Sequence, residues 1–289
     1  MKDNSFQAII AALNNFWQQN ECSVVYGIDT EVGAGTLHAM TALKCLDDKP
    51  LNVCYVQPVR RPSDGRYGLN PNRLQHYYQY QVILKPAPDD VQDLCIKSLE
   101  AIGIDSTKHD IRFVEDDWEN PTIGAWGLGW EIWCDGMEIM QFTYMQQIGG
   151  IDLTVTPAEL TYGLERIAMY VQGKDHFKDI AWNNPKDPKN LLTYGDIFLE
   201  DEKQFTDYYL NYSNVEVLRQ SFIEYEKETI LLCTSKIPVA AYNCCLKACH
   251  TFNMLESRGV LSVTERAQYI SRVRNLAKTC CATWLEGQK

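Results

Sequence analysis

Tyr55-Val56-Gln57-Pro58-Val59-Arg60-Arg61-Pro62-Ser63-Asp64-Gly65 and, a few residues on, Asn70-Pro71-Asn72-Arg73-Leu74-Gln75-His76-Tyr77-Tyr78-Gln79 decide how this chain is read. Residues 53–60 and 76–84 are rich in Val, Tyr and Ile and read as strands. The segment between them is full of turn formers, Pro62-Ser63-Asp64-Gly65 through Asn70-Pro71-Asn72, and carries several arginines. Two strands with a long basic loop predict a sheet-based site.

Working outward, Phe6, Ile9, Ile10, Leu13, Phe16 and Trp17 recur with helical period, predicting a helix over 5–20. Residues 90–102 read as a helix ended by Gly103. Asp135-Gly136 is a two-residue hairpin signal between 130–134 and 137–144. A helix is expected from near Pro157, because Thr156-x-x-Glu159 has capping-box spacing and Leu164, Ile167, Ala168 and Val171 form an apolar stripe. Asn183-Asn184-Pro185-Lys186-Asp187-Pro188 reads as a linker, and the pattern beyond it is helical. Stripes through Val215–Leu232, Ala241–Leu255 and Ile270–Trp284 give three helices, the second closed by Gly259 and the third opened by Ser262-x-x-Glu265. The expectation is an α+β domain over 1–182 followed by an α-helical domain over 183–289.

The 289 residues are 45% hydrophobic and 22% charged, a globular profile, with no apolar run long enough to span a bilayer and no signal peptide. Eleven cysteines without a C-x-x-C pair point to free thiols in a reducing cytoplasm, with little support for a zinc site. A net charge of −11 argues against strong nucleic-acid binding by this chain alone.

No phosphate-binding loop is present: neither G-x-x-x-x-G-K-S/T nor G-x-G-x-x-G after a strand. Any nucleotide must be held by other means. Arg60-Arg61 at a strand end and Arg166 at a helix start are two separated positions able to clamp phosphates. With Asp135-Gly136 as the turn, Trp133 pairs with Glu138, and Glu131 falls on the same face as Glu138. Diagonal neighbours of this kind are about 7–8 Å apart, so the two carboxylates can share a cation or stand as surface residues. Strand alternation puts Tyr77, Gln79 and Gln81 on one face, as a base-stacking and amide set or as an edge strand's aromatics. Glu159 reads by default as a capping-box glutamate. Gly33-Ala34-Gly35-Thr36 is a flexible turn or a small backbone cradle, Trp118 is more often core than site, and the five histidines show no metal spacing.

Taken together, these segments resemble the alpha subunit of the bacterial heterotetrameric glycyl-tRNA synthetase, a class II aminoacyl-tRNA synthetase. The two opening stretches look like its second signature motif, and Thr161-Tyr162-Gly163-Leu164-Glu165-Arg166 looks like the third. Glu31-Val32-Gly33-Ala34-Gly35-Thr36, His109 to Asp116 and Gly124 to Glu131 match as well. The chain departs from the family pattern at Ala39, where proline is usual, and at Leu69, where glutamate is usual.

The resemblance implies an antiparallel sheet flanked by helices, dimerising through the first motif. It implies that Arg60 binds the ATP α-phosphate and Arg166 the γ-phosphate end. Tyr77 would stack on adenine, and Glu131 and Glu138 would hold Mg2+. Glu159 would bind the glycine ammonium, with Trp118, Gln79 and Gln81 completing the pocket. It further implies an alpha–alpha homodimer joined by two beta subunits that supply most recognition of tRNA(Gly), with the loop from Arg61 to Arg73 meeting the acceptor end. The C-terminal helices serve as docking surfaces for that partner or as a self-contained bundle. A synthetase-like enzyme that charges no tRNA, and a non-catalytic paralogue, stand as the other readings. The arginine-rich loop disfavours the first, and Arg60, Arg166, Glu131 and Glu138 together disfavour the second.

Overall fold

A computed structural model describes residues 3–288. Its centre is a sheet ordered β1-β2-β3-β9-β7-β6-β4, with β5 added on β6 and β8 on β7. The strands are β1 (Ser23–Val24), β2 (Leu51–Arg60), β3 (His76–Lys85), β4 (Ile111–Glu115), β5 (Trp118–Asn120), β6 (Ala125–Cys134), β7 (Met137–Ile148), β8 (Ile151–Asp152) and β9 (Ala158–Gly163). Every pairing is antiparallel except β1 with β2. The helices are α1 (Phe6–Gln19), α2 (Ala39–Ala42), α3 (Val91–Ala101), α4 (Leu164–Gln172), α5 (Tyr194–Asp207), α6 (Val215–Thr234), α7 (Pro238–Ser257) and α8 (Val263–Glu286).

Alternation along the strands builds two cores. On β2 and β3, Cys54, Val82 and Leu84 join Phe6, Ile9, Leu13 and Trp17 of α1, Leu99 of α3 and Ile167 of α4. The intervening Val53, Tyr55 and Ile83 face the other way and join Tyr242, Cys245, Phe252, Val273 and Cys280 of α7 and α8. The C-terminal helices therefore share a core with the sheet. All eleven cysteines are free thiols. No described helix is long and apolar enough to cross a membrane.

The strand pair, the helices at 5–20 and 90–102, the Asp135-Gly136 turn and three C-terminal helices occur where the sequence predicts them. Asp135 and Gly136 have φ of 48° and 88°, the left-handed pair such a turn requires. Ser262 and Glu265 do form a capping box on α8.

Residues 158–163 differ. No helix starts near Pro157: Ala158–Gly163 is the strand β9, bonded to β3 on one side and β7 on the other, and α4 begins only at Leu164. Ala158, Leu160 and Tyr162 enter the α1 core, while Glu159 and Thr161 point to the opposite face. That period of two was hidden by the capping-box spacing. Two flanking strands supply the backbone partners that override the local helical signal. The helix α5 was also missed; Thr193 and Asp196 form its capping box.

Candidate active site

Three adjacent strands supply the floor of the site. Register places Gln81 opposite Thr161, Thr161 opposite Gln141, and Glu159 opposite Thr143. A cavity of about 350 Å3 opens over Tyr77, Gln79, Gln141, Thr161 and Gly163. Its walls are Trp118 of β5, Arg61, Asp64, Asn72 and Arg73 of the loop after β2, and Glu138, Glu165 and Arg166. Gln81 and Glu159 are the next same-face positions along β3 and β9 from the lining residues Gln79 and Thr161, and both are buried.

Glu159 is 4% exposed. Its Oε1 accepts a hydrogen bond from the Thr36 hydroxyl. Its Oε2 is buried with no hydrogen-bond partner, and so is Nε2 of Gln81, whose Oε1 accepts from Thr161 Oγ1 at 2.9 Å. An orphaned acceptor and an orphaned donor on neighbouring strands cost free energy unless a ligand satisfies them. Burial raises the Glu159 carboxyl to about 7, against the opposing pull of the Thr36 and Thr161 hydroxyls. Glu159 is thus no helix cap.

The arginines separate. Successive strand residues point opposite ways, and the end of β2 sends Arg60 and Arg61 to different places. Arg60 stacks its guanidinium on Phe205 at 4.2 Å and donates to Gln75 Oε1 at 3.2 Å, outside the cavity lining. Arg61 lines the cavity, with its guanidinium 5.3 Å from the Tyr77 ring centre and its Nε donating to the Gly33 carbonyl at 2.8 Å. The cavity-facing arginine is Arg61, not Arg60. Arg73, expected only as the end of a loop meeting the tRNA acceptor, also lines the cavity.

The carboxylate pair keeps its expected face, since Glu131 lies two residues from Trp133 along β6. Trp133 does pair with Glu138, but a register shift between Ile132 and Trp133 puts Gln141, not Met140, opposite Glu131. The bulge adds one residue between the two glutamates' positions. Glu131 Oε2 accepts from the Trp133 indole at 2.9 Å, whereas Glu138 Oε2 accepts from Arg166 Nη1 at 2.8 Å and lines the cavity. The two carboxylates thus share a face but differ in surroundings, Glu138 at the cavity wall beside Arg166 and Glu131 outside the lining.

Glu165 is a further residue that sequence reasoning passed over. It is 6% exposed and its Oε1 accepts from the Tyr78 backbone N–H at 2.8 Å and the Tyr194 hydroxyl at 2.9 Å. Burial raises its carboxyl to about 7. The only signal for it was its place beside Arg166. Outside the site, His109, Cys134 and Asp135 bring ligand atoms within 4.8 Å of one another, but the Tyr170 hydroxyl already bonds the histidine and the aspartate.

A family model described as "Glycyl-tRNA synthetase alpha subunit" matches residues 6–289. The "Glycine--tRNA ligase alpha subunit" of Rickettsia bellii (strain OSU 85-389) is 55% identical over 286 residues, covering 99% of both chains. That of Rickettsia canadensis (strain McKiel) is 56% identical over the same length and coverage. Among solved structures, a pyrrolysyl-tRNA synthetase from Desulfitobacterium hafniense aligns with a TM-score of 0.45 and 14% identity, covering 65% of this chain and 75% of that one. With the family match running from α1 to the C-terminus, this chain belongs to the glycyl-tRNA synthetase alpha subunit family.

Proposed function

We propose that the cavity activates glycine with ATP and passes the glycyl group to tRNA(Gly). The observation that carries this reading is the pair of unpartnered buried atoms, Glu159 Oε2 and Gln81 Nε2. One is an acceptor suited to an ammonium and the other a donor suited to a carboxylate oxygen, the two ends of an amino acid. A pocket confined by Trp118 and by the residues packed on Gln81 favours the amino acid with no side chain, because anything larger must clash.

ATP is the nucleotide substrate. Its adenine stacks on Tyr77, beneath which the strand holds Gln79, and its phosphates meet Arg61 and Arg166. A glycine carboxylate oxygen attacks the α-phosphorus, the bond to the bridging oxygen breaks, and pyrophosphate leaves. The attacking carboxylate is ionised at neutral pH, so no general base is needed. Catalysis is alignment plus stabilisation of charge by the arginines. Glu138 and Glu131 would hold Mg2+, which would add charge stabilisation at the phosphates.

The proposed organisation keeps 1–182 as the catalytic part and 183–289 as a helical part packed on it. The proposed assembly is an alpha–alpha dimer joined by beta subunits that supply most tRNA recognition, in the cytoplasm. The exposed loop tip at Leu69, 83% accessible, and a second cavity of about 330 Å3 that shares Arg61 and Trp118 with the first suit contact with an acceptor strand. ATP–pyrophosphate exchange across a panel of amino acids tests the reading, with the chain alone and with a beta subunit added. Exchange with glycine only is expected. Exchange with another amino acid, or none in either setting, would reject it.

A further inference from the structure

The 3-10 turn Gly35–Leu37 lies against the closed end of the pocket and reaches it with two donors. The Gly35 backbone N–H donates to Gln79 Oε1 at 2.7 Å, and the Thr36 hydroxyl donates to Glu159 Oε1. A Cβ on Gly35 would stand 2.4 Å from Gln81 Oε1, so the turn is in close contact with that amide too. One short turn therefore touches Gln79, Gln81 and Glu159 together.

The turn is itself held from two sides. The Tyr55 hydroxyl of β2 donates to the Gly35 carbonyl at 3.2 Å. The Tyr242 hydroxyl of α7 donates to the Leu37 carbonyl at 2.9 Å. Tyr242 is 1% exposed, and burial keeps its phenol protonated, so it acts as a donor. The C-terminal helical part thus reaches the backbone next to Thr36.

A carboxylate has two oxygens, and which one is occupied decides which one a substrate meets. Thr36 takes Oε1; Thr161 adds only a long contact of 3.4 Å to the same oxygen. Oε2 is left bare. The titratable groups that interact with Glu159 are Tyr55 of β2 and Cys45 beyond α2, and burial raises both, so neither carries charge at neutral pH. Hydroxyl donors favour the ionised carboxylate, with Thr36 the foremost.

We propose that Thr36 is a positioning residue that presents Glu159 Oε2 to the substrate ammonium, and that Tyr242 couples the C-terminal helices to it through the Leu37 carbonyl. The proposal rests on the reading of Glu159 as the ammonium acceptor. It assigns the helical part a role in shaping the amino-acid pocket, beyond that of a docking surface.

Steady-state ATP–pyrophosphate exchange by the full chain, with its partner where activity requires one, tests this on Thr36→Val, Thr36→Ser, Tyr242→Phe and Glu159→Gln. Thr36→Val should raise the glycine KM about tenfold, the effect of one lost hydrogen bond to a charged group, with the ATP KM unchanged. It should also move the pH midpoint of kcat/KM for glycine upward, and Thr36→Ser should restore both. Tyr242→Phe should raise the glycine KM by a smaller factor, again sparing ATP. A wild-type glycine KM and pH midpoint in Thr36→Val, with Glu159→Gln impaired, would overturn the Thr36 role and leave the Glu159 reading intact. Equal losses in Thr36→Val and Thr36→Ser, or parallel rises in both KM values, would mean packing and overturn it as well. Unchanged KM values in Tyr242→Phe would remove the coupling. Near-normal glycine use by Glu159→Gln would instead sink the ammonium reading itself.

Discussion

Arg166 Nη1 donates to Glu138 Oε2 at 2.8 Å and to the Glu138 backbone carbonyl at 3.1 Å, tying the start of α4 to the bulged end of β7. The side chains are 37% and 28% exposed, so solvent screens the pair and its worth to stability is small. Its consequence is geometric. The contact holds that guanidinium at the cavity wall it shares with Glu138.

Removing the guanidinium should therefore cost activity rather than fold. Arg166→Ala is expected to reduce the pyrophosphate exchange rate by about 10²-fold, the order found when one charge-stabilising donor is deleted. The melting temperature should stay within a few degrees of wild type. Glu138→Gln should give a smaller loss, read chiefly as a raised ATP KM. An Arg166→Ala enzyme of normal rate would take this arginine out of the reaction.

Arg60 and Arg61 are adjacent but should behave differently. Arg61→Ala is expected to lower adenylate formation by about 10²-fold, because Arg61 lines the cavity beside Tyr77. Arg60→Ala loses its stacking on Phe205 and should cost stability of about 1 kcal/mol, with a milder kinetic effect. Rapid-quench measurement of adenylate, alongside thermal melts, separates the two. A larger kinetic defect at Arg60 would reverse the assignment.

The Glu159 carboxyl, raised to about 7 by burial, makes glycine use pH-dependent. Only the ionised form accepts an ammonium well, so kcat/KM for glycine should fall as pH drops through about 7. Once glycine is bound, its ammonium favours the carboxylate, so kcat should be flatter than kcat/KM across the same range. Glu159→Gln should abolish this limb and raise the glycine KM strongly while ATP binding, followed by fluorescence, persists.

Folding stability carries the opposite sign. Glu159, Glu165 and Glu202 are all raised to about 7 from 4.5 by burial, so the folded state prefers their protonated forms. Their contribution is fully present below about 4.5 and is lost as pH rises to about 7, by roughly 3 kcal/mol for each fully buried carboxyl. The unliganded protein should melt at a lower temperature at pH 8 than at pH 5.5. Glu165→Gln should shrink that difference, since its single bonded oxygen can be replaced by the amide oxygen. A melting temperature that rises from pH 5.5 to 8 would contradict these shifts.

Whatever repeats locally was legible in the sequence. The stripe of Phe6, Ile9, Leu13 and Trp17, the three C-terminal stripes, the Asp135-Gly136 turn and the strand pair around the arginine-rich loop each carry their own period or turn chemistry. The motifs were enough to place the chain in its family, and three of the residues they single out, Tyr77, Trp118 and Arg166, line the cavity. Contacts decided by distant partners were not legible. Residues 158–163 became a strand because β3 and β7 both offered backbone hydrogen bonds, and this turned Glu159 from an apparent cap into a buried acceptor. A one-residue bulge put Gln141 rather than Met140 opposite Glu131, and strand alternation at the end of β2 chose Arg61 over Arg60. Periodicity reports which face of an element is apolar. Only the assembled sheet, with its neighbours and register, says what each polar side chain on the other face meets.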